Sequence, residues 1–357
     1  SIDGELSSVS QLVSPYGNPS IGWEKTYQWN YGVDLGFFDG RINLSFDYYD
    51  SKTKDLLFSR TLPVTSAITA WGSPMATWQN IGETSNKGYE IQLSTVNVKS
   101  RNFQWSSSIS YTHNDEKIVD LPDGDLIAKK LFEGHPIKTF YDFKYAGIWS
   151  TAEEEEAAKY GCQPGYVKIE TVEQFTTDEN GNLVGDGGVH TYSNTRDLQI
   201  LGSNVPDGIL GVNNTFKYRD FDLSVFAIVR YGQMIDSKTI GWYSANGNNQ
   251  PRGTNYWTPE NQSAYFPRPG IASTTGIGSL KYIDGSYAKI KNITLGYTFP
   301  KKLCKTLGLE QCRLYATAYN VFVLPFKSEL KHSDPENNGS DTFPLYKTYL
   351  LGLNVSF

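Results

Sequence analysis

The sequence predicts an all-β chain that forms part of a transmembrane antiparallel β-barrel, with long loops gathered on one side of the membrane. Three observations carry this. Apolar and polar residues alternate with period two over segments long enough to cross a bilayer, short and long connections take turns, and the chain ends on an apolar dyad repeat closed by Phe357. Composition agrees: 24 Tyr, 18 Phe and 8 Trp stand beside 33 Gly and only 2 Met, a mixture that favours strands and tight turns over helices. No apolar run approaches the roughly 20 residues of a membrane-spanning helix, and mean hydropathy is −0.43. Strands escape that limit, because a lipid-facing strand needs only every second residue apolar.

From Tyr27 the odd positions read Tyr27, Trp29, Tyr31, Val33, Leu35 and Phe37, against Gln28, Asn30, Gly32, Asp34 and Gly36. After the hairpin signal Asp39-Gly40 the even positions Ile42, Leu44, Phe46 and Tyr48 oppose Arg41, Asn43, Ser45 and Asp47, so the pattern restarts antiparallel. The same reading places strands near 86–98, 102–115, 141–149, 208–218, 221–235, 285–299, 311–323 and 346–357, about ten in all. Several reach the roughly 9 to 11 residues that a tilted membrane strand needs.

Short connections, around 39–40, 99–101, 219–220 and 300–310, alternate with long ones, around 59–85, 116–140, 150–207, 236–284 and 324–345. Outer-membrane barrels combine short periplasmic turns with long extracellular loops, and compact soluble domains seldom do. One long connection carries Ser150-Thr151 before Glu153 to Glu156 and then Gly161, the signals of a short solvated helix. In the last strand Tyr349, Leu351, Leu353, Val355 and Phe357 form the apolar face, opposed by Gly352, Asn354 and Ser356.

Several function classes drop out. A net charge of −6, with Lys and Arg scattered, lacks the basic footprint of a nucleic-acid binder, so no nucleic acid is expected. Cys162, Cys304 and Cys312 are too few for a disulfide scaffold or zinc site, although Cys304 and Cys312 stand close enough to bridge a short loop. The sequence holds no GxSxG elbow, P-loop, HExxH or productive Cys/His spacing, so no catalytic residue and no cofactor are assigned. Pairs such as Asp123 and Asp125 read as solvated turn residues. The chain opens at Ser1 within a polar segment and without a signal peptide, so a mature product or a fragment is expected.

Ordered short motifs add a resemblance. They are Asn18-Pro19 with Trp23-Glu24-Lys25-Thr26; Asp47-Tyr48-Tyr49 with Lys54-Asp55-Leu56-Leu57; Asn80-Ile81-Gly82-Glu83 with Asn86-Lys87-Gly88-Tyr89-Glu90; Asp222 to Phe226; Asp284-Gly285-Ser286-Tyr287 with Lys291 to Tyr297; and Asn320-Val321-Phe322. In this order they resemble the SusC/RagA class of TonB-linked outer-membrane transporters of Bacteroidetes. The resemblance covers residues 1–357 and matches the C-terminal part of the family's barrel. It implies about ten strands of a 22-stranded barrel, with the plug domain and TonB-contacting segment absent from this chain. It further implies an importer of oligomeric nutrients, an oligosaccharide or a peptide. The implied partners are a SusD-like surface lipoprotein, the TonB complex and, for Tyr349 to Phe357, the barrel-assembly machinery.

Family members often carry a calcium-like DxNxDG stretch. Here Asp178, Asn180 and Asn182 fit its first positions, but Leu183 replaces the glycine of the sharp turn and Val189 the bidentate Glu, so no metal is expected. For substrate the candidates are Trp242, Tyr243, Asn246, Asn248, Asn249, Tyr256 and Trp257, because aromatic faces beside amides stack on sugars and bond their hydroxyls. Sugar is favoured over peptide on that ground. The competing reading is that these rings pack the loop or touch a partner. A passive porin or adhesin barrel, and a soluble carbohydrate-binding β-sandwich, are the alternatives for the whole chain.

Overall fold

The computed structural model describes residues 17–62, 69–70, 73–74, 76–179, 182–243, 254–271 and 275–357. Nine long strands make one sheet in chain order. They are β1 (Lys25–Phe37), β2 (Ile42–Lys54), β3 (Glu83–Lys99), β4 (Phe103–Asp120), β5 (Gly208–Tyr218), β6 (Phe221–Tyr231), β7 (Tyr287–Thr298), β8 (Gln311–Pro325) and β9 (Thr348–Ser356). The sheet is open, with β1 and β9 at its edges. The segment 141–149, expected as a sheet strand, departs from this. It is the central strand, Thr139–Ile148, of a separate three-stranded sheet with Val167–Glu170 and Leu198–Ser203. Its Tyr141, Phe143 and Tyr145 alternate with Asp142 and Lys144 as in any half-buried strand, so period two cannot tell it from a membrane strand. With that strand removed from the sheet, 121–207 becomes one excursion. The four long connections, 55–82, 121–207, 232–286 and 326–347, then all leave the same strand ends, and the short ones leave the other.

The chain divides into two compact units, 1–31 with 48–88 and 115–137, and 32–47 with 89–114 and 138–357. In the first, three of the motifs that carry the family resemblance, those around 18–26, 54–57 and 80–83, converge. Asn80 accepts the Gly22 amide at 2.6 Å and donates to the carbonyls of Gly22 at 3.0 Å and Asp55 at 2.9 Å. Glu24 accepts from the Leu57 amide at 2.7 Å, and Lys25 pairs with Asp55 at 3.0 Å. Asp55 and Gly82 both adopt positive φ, +57° and +97°, which turns the chain at the root of this first long connection. The motifs thus specify a backbone-clamping knot, since Asn and Asp side chains can replace backbone partners where a strand ends.

In the second unit the register sorts side chains into two faces. Val225, Ile293, Ala318 and Tyr349 lie in one cross-strand row, and Leu223, Leu295, Ala316 and Leu351 in the next. The opposite face carries Ser224, Thr294, Thr317 and the row Asp222, Gly296, Tyr315, Gly352. The apolar face ends on aromatic pairs at both levels. Phe221 meets Tyr297 at 4.7 Å beside the short turns, and the Tyr111 and Tyr231 hydroxyls meet at 2.9 Å toward the long loops. Ten steps from Phe221 to Tyr231, each of about 3.4 Å and tilted by about 40°, span roughly 25 Å, the height of a lipid-facing band.

On the polar face Arg313 grips Asp222 with Nε at 2.9 Å and Nη2 at 2.5 Å, directly over Gly296. A Cβ on Gly296 would stand 2.3 Å from Arg313 Nη2 and 2.5 Å from Asp222 Oδ1. Gly296→Ala should therefore displace the pair and destabilise the folded full-length barrel by about 1–3 kcal/mol. Its heat-modifiability midpoint on gels checks this, and an unchanged midpoint would contradict it. Cys304 and Cys312 are free thiols, so the short connection before β8 is held by its helix, Lys301–Thr306, and not by a bridge.

Candidate functional site

Three of the long connections fold into one body within the second unit. Trp149, Ala157, Cys162, Tyr166 and Ile271 form one apolar cluster, and Ile235, Ile240, Leu280, Ile283 and Leu330 another, so residues from 138–207, 232–286 and 326–347 bury one another's side chains. Burial raises the Tyr145 hydroxyl to about 12, and that hydroxyl donates to the Tyr265 carbonyl at 3.1 Å.

The helix expected at 150–161 is shorter than its signals suggested. A 3-10 turn, Thr151–Glu153, leads into α1 (Glu154–Lys159), and Gly161 follows at φ +69°. Ser150 and Glu153 form a reciprocal capping box, and Glu153 also pairs with Lys168 at 2.7 Å. The hydrogen bond from Lys168, then that from the Ser150 backbone, hold the Glu153 carboxyl down at about 2. A depressed carboxyl contributes stability above its unfolded value and loses it as pH falls through the folded one. Hydrogen-exchange protection of 153–159 should therefore persist at neutral pH and decline between pH about 4.5 and about 2. Glu153→Gln should show no such decline, and an identical decline would contradict the assignment.

A groove of about 860 Å³ opens between α1 and the segment 256–269. Glu154, Ala158, Gln163, Tyr256, Trp257 and Arg268 are among its lining residues. Arg268 Nη2 donates to Gln163 at 3.2 Å, and its guanidinium lies 5.6 Å from the Tyr166 ring centroid. Tyr256 presents an exposed ring beside Asn261, whose amide bridges Asn255 at 2.7 Å and the Tyr256 carbonyl at 3.0 Å. An exposed ring with nearby amides, a guanidinium and a carboxylate can stack on a sugar face and bond its hydroxyls.

The residues expected to bind substrate are thus dispersed. Tyr256 and Trp257 share the groove, but Trp257 is buried, and its indole nitrogen finds no hydrogen-bond partner among the described residues. Tyr243 is buried elsewhere, stacked on Phe266 at 4.6 Å with its hydroxyl donating to the Pro267 carbonyl, and burial lifts that hydroxyl to about 12. It borders a second cavity of about 330 Å³ with Tyr265, Phe266 and Glu329. Trp242 is exposed. Asn246, Asn248 and Asn249 lie outside the described residues. Sequence reasoning missed Gln163 and Arg268; the turn signal Gln163-Pro164-Gly165 marks the first, and nothing local marks the second. Asp178 serves as a turn residue, accepting the Asn182 amide at 2.8 Å, and among the described residues no cluster of three metal-ligating side chains occurs.

A second arrangement also escaped the sequence. On the polar face of the sheet Lys289, nearly inaccessible to solvent, contacts Asp334 at 2.5 Å and Glu336 at 2.6 Å, and Lys291 also pairs with Glu336. Burial pushes the Glu336 carboxyl up, yet the two lysines outweigh it and leave it below its ordinary value. Leu330 enters the apolar cluster, and the Gly339 carbonyl accepts the Lys238 amide at 2.9 Å. The connection 326–347 is therefore a strap fastened to the polar face of the sheet at Lys289 and Lys291 and to the loop body at Leu330 and Gly339.

Comparison with known proteins agrees with this architecture. Residues 3–321 match the family model described as TonB dependent receptor-like, beta-barrel. TonB-dependent receptor P3 of Formosa agariphila is 30% identical over 384 residues, 99% of this chain and 36% of that protein. TonB-dependent receptor SusC of Bacteroides thetaiotaomicron is 29% identical over 360 residues, 95% of this chain and 32% of its own. The fold matches the structure of the RagAB peptide transporter with a TM-score of 0.74 and 22% identity, over 97% of this chain and 37% of that one. The chain spans about a third of the length of these relatives. It belongs to the TonB-dependent receptor-like β-barrel family, whose members are outer-membrane barrels.

Proposed function

We propose that the chain is the C-terminal part of the barrel of an active outer-membrane importer, energised through TonB and closed outside by a SusD-like surface lipoprotein. The observation that carries this is the two-faced sheet, with an apolar band between aromatic levels and every long connection at one end. The plug and TonB-contacting segment belong, in this reading, to parts of the polypeptide beyond 1–357. The chain transports and does not catalyse. Oligomeric nutrients are the cargo, and oligosaccharides are favoured by the groove that joins the exposed Tyr256 ring to Gln163, Arg268 and Glu154. RagAB is a peptide transporter, which keeps oligopeptide as the second reading. Trp242, exposed on the same loop body, is a further candidate contact; Tyr243 and Trp257 fit packing better.

Uptake by cells carrying the full-length transporter tests the reading. Energised uptake of an oligosaccharide, abolished by a protonophore and weakened by Tyr256→Ala, supports it. Uptake that survives the protonophore would point to a passive porin, and energised uptake of peptides alone would replace sugar as cargo.

A further inference from the structure

The second cavity, of about 330 Å³, is bounded by the strap and by residues from 237–243 and 254–266. Its floor is apolar. Ile240 and Tyr243 are buried, and Phe266 packs on Tyr243 at 4.6 Å and on Tyr265 at 5.3 Å between ring centroids. Tyr243 donates to the Pro267 carbonyl and Tyr265 to the Leu280 carbonyl at 2.5 Å, so both hydroxyls are spent on the loop backbone. What these residues leave for a ligand is ring surface. The rim is polar: it includes Thr239, Glu329, Lys331 and His332, and none of these side chains has a hydrogen-bond or ion-pair partner among the described residues. Their backbone is nevertheless fixed on the strap side. Leu330 is buried in the cluster with Ile240 and Leu280, its amide donates to the Lys327 carbonyl at 3.1 Å, and its carbonyl accepts the Ser333 amide at 2.9 Å. Glu329 and Lys331 flank that anchor, which spares an incoming ligand the cost of ordering them.

Charge decides the ligand. Burial and then the Glu329 charge raise the Tyr145 hydroxyl, and burial, Tyr145 and Glu329 together raise that of Tyr265. The carboxylate thus acts on the tyrosines of the loop core without a cation of its own. A carboxylate beside aromatic rings favours an ammonium, because ring faces attract positive charge and N–H groups form charge-assisted hydrogen bonds with the carboxylate. A bare metal ion fits poorly: among the described residues no cluster of three metal-ligating side chains occurs, and the apolar floor would stay uncovered. We infer that this cavity is a second cargo site, which takes one primary ammonium group with its N–H groups on Glu329 and its carbon frame on Tyr243, Tyr265 and Phe266. Lys331 at the same rim opposes a second cation. The inference rests on the importer reading above and adds the charge of the cargo. An amino sugar and the amino end of a peptide share this chemistry.

The test uses the full-length transporter in detergent, with phenethylamine as probe and N-acetylphenethylamine, which keeps the ring and loses the charge, as its match. Saturation-transfer NMR reads both. Phenethylamine should bind, and its acetylated match should bind at least about tenfold more weakly. Glu329→Gln should weaken the amine by about tenfold or more and leave the acetylated probe unchanged. Glu329 is exposed, so this variant should fold, and heat-modifiability equal to that of the unmutated barrel checks it. Lys331→Gln, which removes a cation from the rim, should instead tighten the amine. A glucosamine tetramer and tetra-alanine with a free amino end then compete with the probe. Displacement by either supports the cargo role and names the source, amino sugar or peptide. Equal binding of the two probes, unchanged amine affinity in Glu329→Gln, or displacement by neither oligomer would overturn the site and leave energised uptake untouched. Uptake that survives a protonophore would strike the importer reading while probe binding stands.

Discussion

Lys289→Ala is expected to release the strap 326–347 from the polar face of the sheet. The substitution removes a charge with almost no access to water and strands two carboxylates, Asp334 and Glu336, that face it at 2.5 and 2.6 Å. Breaking a buried pair from one side costs about 3–5 kcal/mol, because the remaining charge keeps its desolvation without its partner. The lower end applies here, since Glu336 retains Lys291. Local opening should then become roughly a hundredfold more frequent. Hydrogen exchange of the amides of Leu330, Asn337 and Asn338, which close the two 3-10 turns of the strap, reads this directly. Lys289→Met restores volume without charge and should behave like the alanine variant. Unchanged exchange in both would mean that Leu330 and Gly339 hold the strap unaided.

The second large effect tests which face meets lipid. Arg in place of a lipid-facing residue at the bilayer midplane costs about 2–4 kcal/mol and nearly nothing at the interface. By alternation alone the comparison is Leu35→Arg against Asp34→Arg. However, Leu35 stands only two residues before the end of β1, next to a short turn, so its depth weakens the contrast. Val225 lies near the middle of β6, between the aromatic levels at Phe221 and Tyr231, and shares a row with Ile293. Val225→Arg should lower folded full-length protein in the membrane by the midplane amount, whereas Ser224→Arg, on the polar face, should cost far less. Equal losses at both positions would show that the two faces are assigned wrongly.

Legibility in the sequence followed the physics of each level. Side chains on a strand alternate with a fixed period of two, so Tyr349, Leu351, Leu353, Val355 and Phe357 declare their shared face without any knowledge of partners, and each is exposed in the open sheet. The same simplicity misplaced Thr139–Ile148, because half-burial against a loop core and half-burial against lipid produce one pattern. Contacts made by returning loops were invisible. Lys289 and Asp334 are 45 residues apart, and only the register of β7 and the return of the strap bring them together. Residue type also overreached at the candidate site. Tyr243 and Trp257 have the chemistry of sugar platforms, but the loop body uses them as packing, while Tyr256 between them in the sequence stays open.

The central claim is that these nine strands cross the outer membrane with every long connection outside. Whole-cell labelling of the full-length transporter tests it most directly. In a background with Cys162, Cys304 and Cys312 replaced by Ser, single cysteines are placed at Glu179 and Trp242 on long connections and at Arg101 and Lys302 on short ones, then exposed to a membrane-impermeant maleimide. Labelling of intact cells at 179 and 242, with 101 and 302 reacting only after the membrane is permeabilised, is the predicted result. Labelling of intact cells at 101 or 302, or protection of 179 or 242, would place long and short connections on the same side and contradict it.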